Sequence, residues 1–235
     1  MLQEIGSDFW NYPISAEVGK FEIAGLARTA DYKFYISGRS AIRAFLKLNH
    51  GGKKRALLPE FTCETVVIPF EKEGWQISYY PVKKNLKLDS GAVLKKISEA
   101  KPNVFYIQSY FGFNTLEDTQ RIISYCRQNG ILVIEDLTQC VFSNFEKTEA
   151  DFYVASLRKF FAVPEGGLLL SSKAPITVQG RPPVVEMIEL ADRAFRLKDA
   201  YIHHEFAVSK KEFMDAFCEL KSRFAKYDDV YQINN

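Results

Sequence analysis

Lys159 is the residue whose sequence neighbourhood most strongly indicates covalent chemistry. It lies three residues after Ser156, near the end of a strand-like run, and the pair Gly166-Gly167 opens the next such run. Three apolar residues flank it: Leu157, Phe160 and Phe161. Schiff-base chemistry requires the neutral lysine amine, and a setting that excludes water favours the neutral form. A lysine whose charged end reaches solvent is the alternative, because that is the usual fate of this residue type.

A second candidate site lies in the segment ILVIEDLTQC, residues 131–140. Its apolar run ends in Glu135 and Asp136, and ligands bind at the carboxyl ends of the strands in open α/β sheets. An aspartate at the end of a strand can also serve only in a turn or a helix cap. Gln139 follows three residues later, where it can reach the same ligand. We therefore interpret Asp136 and Gln139 together as a binding pair.

The segment SGRSAIRAFLKLN, residues 37–49, combines a small Ser-Gly pair with the start of a helix. The free N–H groups of a helix N-terminus, the helix dipole and a nearby hydroxyl form a phosphate-binding site. The first turn of this helix contains Gly38, Arg39, Ser40 and Ala41, and the glycine lets the backbone approach an anion closely. A Ser-capped helix without a ligand is the alternative. The sequence has no GxxxxGK, GxGxxG or GxSxG motif, which disfavours nucleotide-binding folds and serine hydrolases.

The totals argue against several other classes of function. With 31 basic and 29 acidic residues the formal net charge is +2, which indicates no nucleic-acid partner. Four scattered cysteines form no CxxC pair, and none of the three histidines has a partner at metal-ligand spacing. We therefore expect reduced thiols and no metal site. We recognise no signal peptide and no apolar run long enough to span a bilayer, so we expect a cytoplasmic protein without a membrane partner.

Strand-like and helix-like segments alternate between about residue 35 and residue 171. Strands are predicted at 55–59, 75–81, 103–110, 131–136, 151–157 and 166–171. Helices are predicted at 40–49, 63–73, 91–100, 115–129 and, briefly, 138–142. Thr115 with Asp118 predicts a capping box at the start of the fourth helix, and Gly130 predicts its end. This alternation predicts an α/β fold, with a mostly parallel sheet and helices on both faces.

The pattern changes after residue 182. Two long amphipathic helices follow, which either cover the sheet or begin another domain. We therefore divide the chain into a large domain, residues 1–180, and a helical C-terminal segment, residues 181–235. The sequence ends at Asn235 without a closing strand, and we expect a chain that has been cut short.

The three chemical segments, in this order, resemble the fold-type-I enzymes that use pyridoxal 5′-phosphate (PLP), and most closely the DegT/StrS-type sugar aminotransferases. Two more segments support the resemblance, which covers roughly residues 5 to 171. PEFTCETVV (59–67) is similar to a Pro-x-x-Thr segment of that family, and QSYFGFN (108–114) to its strand ending in an aromatic residue and glycine. The resemblance implies a three-layer α/β/α large domain and PLP as the cofactor.

The resemblance also implies a role for each candidate residue. Lys159 would form the Schiff base with PLP and act as the catalytic base and acid, while Asp136 would pair with the pyridine nitrogen. Gln139 would bind the 3-oxygen of the cofactor. Ser156 would bind its phosphate together with the backbone of residues 38–41. Cys63 stands where many relatives have an aromatic residue stacked on the ring.

The resemblance favours transamination, because the dehydratase branch of the family has a histidine in place of Lys159. The implied reaction moves an amino group from an amino-acid donor, such as glutamate, to a keto acceptor. A nucleotide-linked keto-sugar as the acceptor, and a homodimer as the active form, follow only from the resemblance. Two alternatives stay open: a PLP-binding or structural module without turnover, and another PLP reaction such as that of a lyase.

Overall fold

The computed structural model describes residues 9, 26, 29–49, 51–116, 119–182, 184–203, 208–227, 229–231 and 233. The strands in these ranges are β1 (Asp31–Tyr35), β2 (Arg55–Pro59), β3 (Gln76–Tyr80), β4 (Val104–Gln108), β5 (Leu132–Asp136), β6 (Phe152–Ser156) and β7 (Gly167–Ser171). The helices are α1 (Gly38–Leu48), α2 (Glu64–Lys72), α3 (Ser90–Ala100), α4 (Gln120–Gln128), α5 (Val185–His203) and α6 (Lys210–Lys226). A short 3₁₀ turn, Leu157–Lys159, follows β6.

The seven strands form one sheet in the order β1-β7-β6-β5-β4-β2-β3. The five strands from β3 to β6 in this order run parallel, and β7 lies antiparallel between β6 and β1. Strands β4 and β7 are buried along their whole length, as expected for the centre of a sheet that is covered on both faces. The predicted α/β class is confirmed.

Helices cover both faces of the sheet, so the fold has three layers. Apolar residues of α1 and α2, including Phe45 and Phe70, pack on one face with Tyr106 of β4. Residues of α3 and α4, including Ile97 and Ile122, pack on the opposite face. Each helix presents apolar residues three and four positions apart to the sheet, which is the spacing of one helical face.

The predicted strands agree with the structure to within about two residues at their ends, but three elements differ. Strand β1 was not predicted; it is an edge strand whose apolar residues alternate with polar ones. Helix α4 begins at Gln120 and not at Thr115, whose hydroxyl accepts a hydrogen bond from the backbone N–H of Tyr110; Asp118 of the predicted capping box lies outside the described residues. The predicted short helix at 138–142 is a series of turns.

Helices α5 and α6 pack against each other and bury a third apolar cluster. That cluster includes Phe195, Phe213 and Phe217, and it reaches the sheet through Ile36, which directly follows β1. The chain then returns to β1, where Ile36 donates a backbone hydrogen bond to Tyr231. These helices therefore lie against the sheet unit, while the domain boundary at residue 180 stays a prediction. Among the helices that are described, none combines the length and apolar character needed to cross a membrane.

Candidate active site

Three polar side chains collect at one edge and on one face of the sheet. Gln108, Asp136 and Ser156 are the last residues of β4, β5 and β6, which run parallel and therefore end at the same edge. Gln108 is the direct sheet partner of Asp136. All three lie two residues after an apolar residue that packs on the α1/α2 face, and strand side chains alternate between faces. The sheet thus directs these three polar groups into the space beside α1 and α2.

Asp136 is held by two hydrogen bonds. The hydroxyl of Tyr106, on the neighbouring strand, donates to Asp136 Oδ2 at 2.8 Å, and the backbone N–H of Thr138 donates to Oδ1 at 2.8 Å. Burial, together with the nearby charge of Asp136, raises the pKa of Tyr106 well above its ordinary value, so this hydroxyl remains a donor. Each carboxylate oxygen can accept a second hydrogen bond. Asp136 therefore has a fixed orientation and further capacity to bind a ligand.

Glu135, the carboxylate directly before Asp136 in β5, points to the opposite face of the sheet. Its oxygens accept hydrogen bonds from Ser109 Oγ at 2.8 Å and from Thr148 N and Oγ1 at 2.9 and 2.6 Å. Burial raises its pKa, although these hydrogen bonds oppose the shift. Glu135 anchors the 143–150 connection to β5 and does not belong to the candidate site.

The start of α1 is brought against Ser156 by two glycines. A Cβ atom on Gly167 would overlap the carbonyl group of Ser37, so only glycine allows β7 to lie this close to the turn before α1. A Cβ atom on Gly38 would lie 3.3 Å from the Cβ of Ser156. The first turn of α1, capped by Ser37 Oγ on the N–H of Ser40 at 3.2 Å, therefore faces the Ser156 side chain.

The structure places the four predicted phosphate-turn residues differently. Gly38 and Arg39 line the cavity beside Ser156. Ser40 and Ala41 are fully buried and are not part of its lining. The Ser40 hydroxyl donates to the backbone carbonyl of Asp229 at 2.7 Å, and the N–H of Ala41 donates to the carbonyl of Ser37. The N–H groups of Ser40 and Ala41 are thus both bonded to Ser37, and only Gly38 and Arg39 of the four residues line the cavity.

Lys159 ends the 3₁₀ turn that follows β6, and its side chain is exposed. The predicted water-excluding setting is wrong, because the flanking apolar residues Leu157 and Phe160 turn away and pack on the core of the α3/α4 face. Residues three apart lie on the same side of a 3₁₀ turn, which leaves Lys159 on the other side. There it lines the same cavity as Asp136 and Ser156.

These side chains surround one cavity of about 500 Å³, here called the cofactor cavity. Its lining, within the described part of the chain, is Ser37, Gly38, Arg39, Ile42, Cys63, Thr65, Val66, Gln108, Asp136, Thr138, Gln139, Val154, Ala155, Ser156, Arg158, Lys159, Lys221 and Phe224. Seven of the nine predicted site residues are thus brought together. Other lining residues were not predicted from the sequence, among them Lys221 and Phe224 of α6.

Two of the predicted residues reach the cavity from turns. Gln139 accepts a hydrogen bond from the backbone N–H of Phe111 at 3.3 Å through its Oε1 atom, which leaves the amide nitrogen of Gln139 as the donor to a ligand. Cys63 is the N-cap residue of α2 and is exposed; the Thr65 hydroxyl lies 3.0 Å from its sulfur. Neither position follows from spacing alone, because both depend on how the turns fold over the strand ends.

Lys221 and Phe224 had no detectable signal in the sequence, since they lie more than 60 residues after Lys159 on a separate helix. Two contacts hold this part of α6 against the cavity. The Arg39 side chain donates to the carbonyl of Phe224 at 3.0 Å, and the Arg158 guanidinium lies 4.0 Å from the centre of the Phe224 ring. By contrast, Gln108 and Thr138 could have been found, because they end or follow parallel strands at the ligand-binding edge.

The cavity fits PLP, which carries a phosphate, a pyridine nitrogen and an aldehyde. The first residues of α1 line the cavity beside Ser156, and the missing Cβ of Gly38 leaves the backbone there open to the approach of a phosphate at a helix N-terminus. Asp136 supplies a buried carboxylate for a protonated ring nitrogen, and Lys159 supplies an amine for the aldehyde. Across the described ranges, no group of three or more His, Cys, Asp or Glu side chains is arranged to hold a metal ion.

Solved structures with a similar fold include several aminotransferases. Helicobacter pylori PseC, an aminotransferase involved in the biosynthesis of pseudoaminic acid, is 14% identical; the match covers 71% of this chain and 44% of that chain, with a TM-score of 0.56. The putative sugar aminotransferase Spr1654 from Streptococcus pneumoniae, in its PLP form, is 15% identical over 65% of this chain and 44% of that one, with a TM-score of 0.53. A DegT DnrJ EryC1 StrS aminotransferase from Brucella abortus is 15% identical; the match covers 80% of this chain and 50% of that chain, with a TM-score of 0.51.

The chain spans half or less of the length of each of these three proteins. No curated protein matches its sequence significantly. The family model described as aminotransferase class-V matches residues 63–185, which is more than half of the 235-residue chain. The match confirms the predicted resemblance to aminotransferases and PLP as the family's cofactor, and the chain belongs to the class-V aminotransferase family.

Proposed function

We propose that this chain binds PLP through Lys159 and forms the cofactor domain of an aminotransferase. The observation that carries this proposal is the convergence of Lys159, Asp136 and the Gly38–Ser156 contact on one cavity. These groups come from separate segments of the chain, and each corresponds to a different part of the cofactor. A chance cluster of polar residues has no reason to contain an amine, a buried carboxylate and a helix N-terminus together.

When it is bound, PLP supplies an electron sink for negative charge at the substrate Cα. The residues of the chain bind and orient the cofactor, and one of them exchanges a proton with the substrate. Asp136, fixed by Tyr106 and Thr138, offers a carboxylate oxygen to the ring nitrogen. The first N–H groups of α1 and the Ser156 hydroxyl face the phosphate position. Lys159 Nζ, on the exposed side of its turn, accepts and returns the proton of the substrate.

Covalent attachment can be tested directly. The purified chain is loaded with PLP, reduced with borohydride and digested, and the labelled peptide is identified by mass spectrometry. We expect the label on Lys159 and an absorption band near the blue edge of the visible spectrum, both lost in Lys159→Ala. Lys84→Ala, which changes an exposed lysine outside the cavity lining, is the matched control. Label on another lysine, or no label, contradicts the proposal.

Transamination requires a second measurement. Incubation of the PLP-loaded chain with an amino-acid donor should convert the bound cofactor to its amino form, with a matching loss of the Schiff-base band. A keto acceptor should then restore the band, as expected for an enzyme that alternates between two cofactor forms. A stable band in the presence of donors would instead identify a PLP-binding module without turnover. The sugar aminotransferases among the structural relatives support a keto-sugar as one acceptor to test.

We also propose that a second copy of this chain covers the sheet edge beside the cavity. Phe61, Phe111, Phe113 and Phe142 are all exposed there, and the Phe61 ring contacts that of Phe111. Phe111 has a φ angle of 51°, a conformation that is unfavourable for a side chain of this size. Aromatic residues are enriched at protein interfaces. This surface continues into the cavity, since the N–H of Phe111 bonds to Gln139.

Light scattering coupled to size-exclusion chromatography tests the homodimer. We expect twice the mass of one chain for the native protein and a shift toward the monomer for Phe113→Ser. Met214→Ser, which removes an exposed apolar side chain on α6, serves as the control. A native monomer contradicts the homodimer. A dimer that Phe113→Ser leaves intact and Met214→Ser disrupts would place the interface elsewhere.

A further inference from the structure

A second cavity of about 340 Å³ lies beside the cofactor cavity, between the Lys159 turn and helices α5 and α6. Three basic residues line both cavities: Arg158, Lys159 and Lys221. The described residues that line only the second cavity are all apolar: Phe9, Val163, Phe195, Phe217 and Leu220. The basic groups therefore stand where the two cavities adjoin, and an apolar space lies beyond them.

The position of this cavity follows from one face of α6. Phe217, Leu220, Lys221 and Phe224 are spaced three and four residues apart, so they lie along the same side of the helix. The last of them is fixed by Arg39, which donates to its carbonyl, and by Arg158, which lies over its ring. These contacts hold the α6 face against the Lys159 turn.

The basic groups suit a single anionic head group. The Arg158 guanidinium lies 4.0 Å from the centre of the Phe224 ring and carries five N–H donors, more than one ring contact uses. Lys221 is exposed and contributes a second positive charge. A carboxylate at this boundary would lie next to Lys159 and would receive charge-assisted hydrogen bonds.

The apolar space suits the remainder of the ligand. Phe195 and Phe217 are buried with their rings 5.9 Å apart, and Leu220 is 1% exposed. The volume of the cavity is within the usual range of small-molecule pockets, about 300–1,000 Å³. A second carboxylate placed against these side chains would lose its hydration without gaining a partner, which is costly. An aromatic or branched aliphatic group would instead bury apolar surface favourably.

We propose that this second cavity holds the side chain of an apolar amino-acid substrate, such as phenylalanine or leucine, whose carboxylate binds Arg158 and Lys221. The proposal rests on the proposed PLP chemistry at Lys159, and it specifies the amino donor as apolar, in contrast to the glutamate that the family resemblance implies. The cavity thereby selects the donor by its side chain, while the basic pair orients the donor beside the reactive lysine.

A carboxylic acid without an amino group can bind but cannot react, so its affinity measures binding separately from turnover. Binding of 3-phenylpropanoate to the PLP-loaded chain is measured by isothermal titration calorimetry and compared with 3-phenylpropanamide and with glutarate. We expect 3-phenylpropanoate to bind on the order of tenfold more tightly than either, because the amide lacks the charge and glutarate lacks the apolar group. Glutarate binding as tightly as 3-phenylpropanoate overturns the proposal.

Two variants locate the binding site. Lys221→Gln should weaken 3-phenylpropanoate on the order of tenfold, and Val163→Trp, which fills the apolar space, should abolish binding. Lys211→Gln, on the same helix but outside both cavities, should leave the affinity unchanged. Because Lys221 is exposed, its variant tests the site even if Val163→Trp fails to fold. Unchanged affinity in Lys221→Gln overturns the proposal.

The two proposals fail in distinguishable ways. If no Schiff-base band forms on Lys159, the PLP proposal is wrong whether or not 3-phenylpropanoate binds. If the band forms but 3-phenylpropanoate does not bind, only the apolar-donor proposal is wrong. A final comparison uses the rate at which the band is lost, which we expect to be faster with phenylalanine than with glutamate. Faster loss with glutamate contradicts the assigned donor class.

Discussion

The Tyr106 hydroxyl donates to Asp136 Oδ2 at 2.8 Å across two neighbouring parallel strands, and both residues are buried. Tyr106 lies two residues before the end of β4, so it supports the candidate site from within the sheet. The burial that raises its pKa keeps this hydroxyl protonated, and it therefore donates over the whole range of physiological pH. The orientation of the Asp136 carboxylate depends on this bond and on the N–H of Thr138.

Tyr106→Phe should weaken PLP binding while leaving Lys159 able to react. The change leaves Asp136 with one donor fewer, and losing a hydrogen bond to a buried charged group costs about 1–3 kcal/mol. We expect the dissociation constant of PLP, measured by absorbance titration, to rise roughly tenfold or more. The control is Tyr80→Phe, because the hydroxyl of Tyr80 donates to the backbone carbonyl of Tyr106 and not to Asp136. Equal weakening in both variants would show that the effect is only structural.

Gly167→Ala should destabilise the protein and disturb the α1 turn. The added methyl group would overlap the carbonyl of Ser37, which must shift away from β7 and take Gly38 with it. Overpacking of this kind costs about 1–3 kcal/mol and sometimes more. Chemical denaturation measures the lost stability, and PLP titration measures the effect on the site. Gly51→Ala is the control, because a Cβ atom there meets nothing within 4 Å; similar losses in both variants contradict the close-approach argument.

Glu135→Gln should flatten the pH dependence of stability in mildly acidic solution. The folded pKa of Glu135 lies above its ordinary value of 4.5, because burial outweighs its hydrogen bonds. As pH rises through 4.5, the unfolded chain therefore loses this proton first, and the free energy of unfolding falls until the folded pKa is passed. Glutamine removes this contribution. Denaturation between pH 4 and pH 7 should show a smaller decline in the free energy of unfolding for Glu135→Gln than for the native chain, and an equal decline in both would contradict the burial argument.

Asp229→Asn should loosen the segment that follows α6. The Asp229 carboxylate lies 2.7 Å from Lys47 Nζ and 3.3 Å from the Arg181 guanidinium. Partial burial raises its pKa, but the hydrogen bond and charge of Lys47, with other contacts, outweigh burial and lower it below 3.8. Stability from this group is therefore present above pH 3.8 and is lost as pH falls through the folded pKa.

The expected loss in Asp229→Asn at pH 7 is about 1 kcal/mol, since each partly exposed ion pair contributes about 0–1 kcal/mol. Below the folded pKa the native chain and the variant should become equally stable, as measured by thermal unfolding. Asp215→Asn, which removes an exposed pair with Lys211, should have a smaller effect at pH 7. A difference between native chain and Asp229→Asn that persists at the lowest pH would point to a role other than charge.

The sequence by itself determined the fold class, because alternating apolar runs and amphipathic helices are local patterns that backbone geometry converts directly into strands and helices. It also predicted that Asp136 and Ser156 lie near each other, since the ends of parallel strands meet at one edge of a sheet, and that Lys159 follows Ser156 after a short turn. Local patterns could not locate the start of α4, because a turn precedes it. They did not detect the edge strand β1, because its apolar alternation is weak.

Only the tertiary structure decided what surrounds those residues. Gly167 brings the α1 turn to Ser156 through a steric constraint between segments 130 residues apart in sequence, and Tyr106 fixes Asp136 from another strand. Lys159 is exposed and lines a cavity, because the 3₁₀ turn sends the flanking residues Leu157 and Phe160 to the core and leaves the lysine on the other side. Lys221 enters the site through helix packing, which spacing along the chain does not encode.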